Sequence, residues 1–133
     1  MSQANVEITE RLIEAYNRGE VDAFADLTTA DFEWLTAGFG IIEGVPLYGR
    51  EGIEKYFRDL RDFWEDLSII ANEFRDLGDR VLVLGRVEGR GKGSGVEVDS
   101  PLGLIGEFRS GKMSQGRTYL DQGEALRAAG LDE

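Results

Sequence analysis

Arg86 and Glu88, near the end of the run Arg80-Val81-Leu82-Val83-Leu84-Gly85-Arg86-Val87-Glu88, are the residues whose types and spacing best suit chemistry. Side chains two apart on a strand leave the same face, so the guanidinium and the carboxylate stand together, next to Leu82 and Leu84. A carboxylic acid can exchange a proton with a substrate, and a neighbouring arginine sets its charge state. Glu88 is thus the candidate acid/base and Arg86 its partner. A buried, unpaired ion costs on the order of several kcal/mol, so the two must bond each other or a ligand. The plainer alternative is a self-satisfied ion pair at a solvated rim.

What else the chain lacks narrows the chemistry. It contains no histidine and no cysteine, which removes Ser-His-Asp and Cys-His catalysis, thiolate zinc sites and disulfides. Any catalysis is left to carboxylates, Tyr, Lys, Arg or hydroxyls, and neither a cofactor nor a metal is expected. The acidic residues Asp59, Asp62, Glu65 and Asp66 read as solvated positions, not ligands. Gly89-Arg90-Gly91-Lys92-Gly93-Ser94-Gly95 matches no phosphate-binding spacing and joins two strands, so it reads as a hairpin tip.

Those side chains need elements to hold them. Ile8, Leu12, Ala15 and Tyr16 share one helical face over about residues 5–18, and Gly19 ends that helix. Val21, Phe24 and Leu27 make a shorter helix, stopped at Thr28-Thr29, and residues 32–36 read as a first strand. Residues 38–49 are irregular, and Phe39, Ile41 and Ile42 there could cap an opening or fill a gap. Ile53, Tyr56, Phe57, Leu60 and Trp64 form the apolar stripe of a third helix. Strands follow over residues 69–74, 80–88, 96–108 and 112–120, joined by turn residues that imply antiparallel neighbours. Asp99-Ser100-Pro101 interrupts the third of these, and the proline suggests a bulge or a bend. A last helix spans 122–129.

With 133 residues the chain is expected to be one domain over its whole length, 1–133. A net charge of −11 opposes binding to nucleic acid and to anionic membranes. The N-terminus has no secretion-signal pattern and no apolar run suits a bilayer, so the cytoplasm is the expected location. Both faces of residues 80–88 begin apolar; one face would line a hollow over the helices, and a second subunit would cover the other, making a homodimer.

In order, Ala15-Tyr16-Asn17-Arg18-Gly19-Glu20, Ala30-Asp31-Phe32-Glu33-Trp34, Tyr48-Gly49-Arg50-Glu51-Gly52-Ile53 and Gly111-Lys112-Met113 leading to Tyr119-Leu120-Asp121 resemble the SnoaL-like and limonene epoxide hydrolase-like branch of the nuclear-transport-factor-2-like superfamily. The resemblance covers nearly the whole chain. It implies an α+β cone-shaped roll, in which a strongly bent antiparallel sheet wraps around the N-terminal helices and encloses an apolar pocket. Arg86-Val87-Glu88 is similar to the Arg-x-Asp step of the epoxide hydrolases, with Glu for Asp. The second acid of that site falls at Thr118, and the water-holding tyrosine and asparagine fall at Trp34 and Thr36. By comparison with ketosteroid isomerase, the base would fall near Thr36 and the oxyanion acid near Leu104, neither of which can take up that role, so steroid isomerisation is not expected.

The expectation is therefore a protein that binds an apolar small molecule. Trp34, Thr36, Tyr56, Phe57, Ser100, Leu102, Leu104, Thr118 and Leu120 would line its pocket, and Glu88 with Arg86 would stand at the ligand's polar end. If it is an enzyme, cofactor-independent cyclisation, isomerisation, dehydration or epoxide opening would suit it. The competing class is a non-catalytic ligand-binding or dimerisation module with a degenerate site.

Overall fold

A computed structural model describes residues 3–36 and 46–131. Phe39, Ile41 and Ile42, the expected caps, lie outside the described residues. Helix α1 runs Gln3–Arg18 and buries Ile8, Thr9, Leu12, Ile13, Ala15 and Tyr16 on one face. Gly19, with φ of +68°, takes the left-handed turn that ends it, while Glu20 N–H bonds back to the Ala15 carbonyl at 2.9 Å. Helix α2, Val21–Asp26, buries Phe24. The Thr28-Thr29 pair opens strand β1, Thr28–Leu35, four residues earlier than the sequence suggested.

Leu47–Tyr48, expected to be irregular, forms a two-residue strand β2 against Glu33 and Trp34. Helix α3, Gly49–Phe63, follows at once and turns Ile53, Tyr56, Phe57 and Leu60 inward. Trp64 does not extend that stripe. It begins strand β3, Trp64–Asp76, and the abrupt change is absorbed by a register shift between Glu65 and Ser68 where Asp66 takes a φ of +57°. Strands β4 (Arg80–Gly91), β5 (Glu97–Arg109) and β6 (Lys112–Tyr119) then meander, and helix α4, Gln122–Ala128, closes the order. Asp121 caps α4 by accepting from Gly123 N–H at 2.7 Å.

The six strands form one sheet in the order β2-β1-β6-β5-β4-β3. Every neighbouring pair is antiparallel except β1 and β6, which run parallel. Pro101 breaks nothing: Arg86 faces Pro101, Val87 faces Ser100 and Glu88 faces Asp99 in continuous register, so the expected bulge is absent. β6 ends at Tyr119 opposite Gly103, leaving β5 with one neighbour at Pro101, where a strand tolerates a missing N–H.

The curved, unclosed sheet packs its inner face on the helices. Val81, Val83, Val87, Ile69, Leu102, Leu104 and Met113 meet the apolar faces of α1 and α3 there. The even-numbered residues of β4 look outward, and Leu82 and Leu84, with Ile105, form a second small core with Ala125 and Ala129 of α4. A subunit partner was the expected cover for this face; at its apolar end the chain's own last helix takes that place. Gly103 permits the contact, because a Cβ there would come within 2.4 Å of the Ala125 methyl carbon.

Candidate functional site

Alternation along β4 decides where its charged pair stands. Val81, Val83 and Val87 face the interior, so Arg86 and Glu88 share the outer face with Leu82 and Leu84, beyond the edge of α4. The Arg86 and Glu88 side chains are 43% and 47% exposed. The Arg86 guanidinium bonds the Asp99 carboxylate on β5 and lies 3.6 Å from Glu88. Arg90 and Glu97 continue this ladder at 3.1 Å. Beside it an open groove of about 400 Å³ is bordered by Glu65, Asp66, Glu88, Glu97 and Asp99 against Arg90, which is a wet and acidic setting. The expected placement of Arg86 and Glu88 at the polar end of an apolar pocket is corrected: they belong to the face turned away from it, and exposed pairs of this kind add little to stability.

The interior holds a different set of polar atoms. Tyr16 on α1 and Tyr56 on α3 are 5% and 4% exposed, and their hydroxyls meet at 3.0 Å. Both helices bring a tyrosine to the apolar stripe, and a buried phenol needs a partner; each supplies the other. Trp34 on β1, 3% exposed, sets its ring edge-on to Tyr56 with centroids 5.6 Å apart. Its indole N–H lies close enough to favour the Tyr56 phenolate slightly, yet makes no hydrogen bond of normal geometry. Burial pushes the Tyr56 hydroxyl up to about 12, and burial with the adjacent Tyr56 raises Tyr16 well above the ordinary range.

Aromatic rings surround these three atoms. Phe24 packs edge-on to Phe57 at 5.3 Å and to Trp34 at 6.0 Å, and Phe32 stacks on Trp34 at 5.9 Å. Gly116 makes room for the indole, since a Cβ there would lie 2.4 Å from the ring. Among the described residues, this packing leaves a cavity of about 10 Å³, bordered by Tyr16, Phe24, Trp34, Leu104 and Met113 among others. No carboxylate is among the buried polar side chains of the described residues, which are Thr9, Thr28, Thr36 and Thr118. Nor do three or more acidic side chains gather there as a metal ion would require.

Of the side chains expected to line a pocket, Trp34, Thr36, Tyr56, Phe57, Leu102, Leu104 and Thr118 are buried. Ser100 sits nearer the rim of the same strand, its hydroxyl donating to the Pro101 carbonyl at 3.0 Å. Leu120 follows the end of β6 and is 39% exposed, so it does not line the interior. The sequence reading missed the Tyr16 hydroxyl as a member of this set, although its place on the buried stripe of α1 was a signal.

Residues 9–115 match the model of the SnoaL-like domain family, and the chain belongs to that family. Solved structures agree on the fold. A nuclear-transport-factor-2-like protein from Burkholderia xenovorans LB400 is 25% identical with a TM-score of 0.79, covering 97% of this chain and 98% of that one. A putative SnoaL-like polyketide cyclase from Jannaschia sp. CCS1 is 21% identical with a TM-score of 0.77, covering 96% and 92%. A protein of ketosteroid isomerase-like fold from Catenulispora acidiphila DSM 44928, in complex with trimethylamine, is 21% identical with a TM-score of 0.76, covering 94% and 93%. A search of curated proteins found no match.

Proposed function

We propose that this SnoaL-like protein binds an apolar small molecule in its aromatic interior, and that it does so as a binding module. The observation that carries this is the set of three polar atoms, Tyr16 Oη, Tyr56 Oη and Trp34 Nε1, held inside an otherwise apolar shell. A few polar atoms inside an apolar shell are the kind of feature that orients a ligand's polar end. Trp34, Tyr56, Phe57, Leu102 and Leu104 supply apolar contact, with Thr36 and Thr118 as the other polar neighbours. A ligand larger than water must displace side chains from a cavity of about 10 Å³, and the unbranched Met113 at its border is suited to yielding.

The binding reading is favoured over acid/base catalysis because the buried polar side chains of the described residues include no acid, and Glu88 is held by Arg86 on the opposite face. The test is a panel of polycyclic aromatic compounds titrated into a Trp64→Phe protein, whose one remaining tryptophan, Trp34, reports from the interior. Saturable quenching supports the reading. Absence of any response across the panel contradicts it. Turnover of a bound compound that disappears in Glu88→Gln would restore the enzyme reading.

The same proposal includes a homodimer built on the outer sheet face that α4 leaves uncovered. Ile70 of β3, opposite Arg86 in register, is 37% exposed there and offers an apolar contact between charged neighbours.

A further inference from the structure

The sheet has two outer edges of very different length. β2 ends one of them with two residues, Leu47–Tyr48, whereas β3 ends the other with thirteen, Trp64–Asp76. A long terminal strand offers its outward N–H and C=O groups to any strand that can pair with them. Two register shifts against β4, between Glu65 and Ser68 and between Ala71 and Glu73, break the regularity of β3 on either side of Ser68-Ile69-Ile70-Ala71. That run is uncharged, and its two isoleucines favour extended backbone. Within it Ile69 directs both main-chain groups to the Asn17 side chain: Nδ2 donates to the Ile69 carbonyl at 2.9 Å, and Oδ1 accepts from Ile69 N–H at 2.8 Å. One carboxamide thus makes both bonds that a residue of an adjoining antiparallel strand would make.

We infer that the edge over residues 68–71 is a latent strand-addition surface, that its partner is a second copy of this chain presenting the same run antiparallel, and that Asn17 keeps it closed. The two register shifts confine regular pairing to this run, so blocking Ile69 is enough to prevent a ladder. A second copy suits the run, because aligning Ser68-Ile69-Ile70-Ala71 antiparallel with itself sets no like charges opposite one another. Elsewhere a net charge of −11 opposes association. Here charge is missing, and a hydrogen-bonded plug takes over that protection. Asn17 is placed for the task in the last turn of α1, which ends at Arg18, and a carboxamide carries a donor and an acceptor side by side. Aspartate there would accept from Ile69 N–H but could not donate to its carbonyl. The surface is distinct from the outer sheet face, where side chains would meet a partner; at this edge main-chain groups would.

The experiment follows hydrogen exchange at the Ile69 amide and molecular mass by light scattering, in the full chain, over a series of protein concentrations. In Asn17→Ala the Ile69 amide is expected to exchange about tenfold to a hundredfold faster than in the unaltered protein when dilute, as the loss of such a hydrogen bond implies. With rising concentration it should regain protection, in step with a mass above that of the unaltered protein at the same concentration. Asn17→Asp should keep the Ile69 amide protected and the mass unaltered. Gly103→Ala, which loosens the chain from the opposite face, should gain no mass, and so separates edge pairing from general destabilisation. Sucrose in every sample offsets lost stability, and Asn17→Ser, held to the same outcomes, replaces the alanine variant should that one unfold. An unaltered mass with Ile69 exchanging fast at every concentration would overturn the inference, as would an equal gain of mass in Gly103→Ala. A gain of mass while Ile69 stays unprotected would overturn the location of the surface. Unchanged Ile69 protection in dilute Asn17→Ala would overturn the role of Asn17.

Discussion

Two phenols buried against one another resist ionisation, and that resistance ties them to stability. The unfolded chain ionises tyrosine near 10, whereas in the fold burial raises Tyr56 to about 12 and Tyr16 higher still. A raised folded value means the contribution is complete below pH 10 and is lost as pH climbs from 10 towards 12 and beyond. Urea unfolding should therefore weaken over that window by roughly 2–3 kcal/mol for Tyr56 alone, and the Tyr16→Phe/Tyr56→Phe variant should lose much of this dependence. At the same scale, Glu88→Gln should leave affinity for an interior ligand within about twofold, since a change of that size is below the worth of one hydrogen bond. The buried rings were legible from sequence because Tyr56 and Phe57 fall on an amphipathic stripe. The phenol pair was not, because its members are 40 residues apart and no local pattern links α1 to α3.

Elements hold those residues through a few specific contacts. The Asn17 side chain, one residue past Tyr16 on α1, accepts from Ile69 N–H at 2.8 Å and donates to the Ile69 carbonyl at 2.9 Å, pinning α1 to β3 at the edge of the sheet. Asn17→Ala should cost about 1–3 kcal/mol by stranding both backbone groups, read as a lowered urea midpoint. On the other face, Gly103→Ala would drive a methyl into Ala125 and should destabilise by about 1–3 kcal/mol, with hydrogen exchange in α4 rising more than in α1. These contacts also show why the orientation of Arg86 and Glu88 escaped the sequence reading. Alternation put the pair correctly beside Leu82 and Leu84, but both faces of β4 are apolar at that end, and alternation alone does not say which faces the helices. The Ala125 and Ala129 stripe of α4 was the missing clue, because it needed an apolar surface, and Leu82, Leu84 and Ile105 are that surface. Element order was readable from periodicity and turn chemistry. The start of β3 at Trp64 was not, since an aromatic there fits a helical stripe and a strand equally well.

For the whole molecule, the division of labour between two faces is the main result: an aromatic interior on one side of the sheet, and an outer side shared between α4 and a charged ladder. If the uncovered outer face joins two copies, Ile70→Glu should shift the protein from dimer to monomer in light scattering, without changing affinity for an interior ligand. The central claim is that the buried Tyr16, Tyr56 and Trp34 atoms receive a small molecule. The most direct measurement is the Trp34 indole N–H resonance in a nitrogen-labelled sample during titration with 2-acetylnaphthalene, with Trp64 as internal reference. A saturable shift of Trp34 exceeding that of Trp64 is the predicted result; an unmoved Trp34 signal while residues of the Arg86, Glu88 and Asp99 face respond would contradict it.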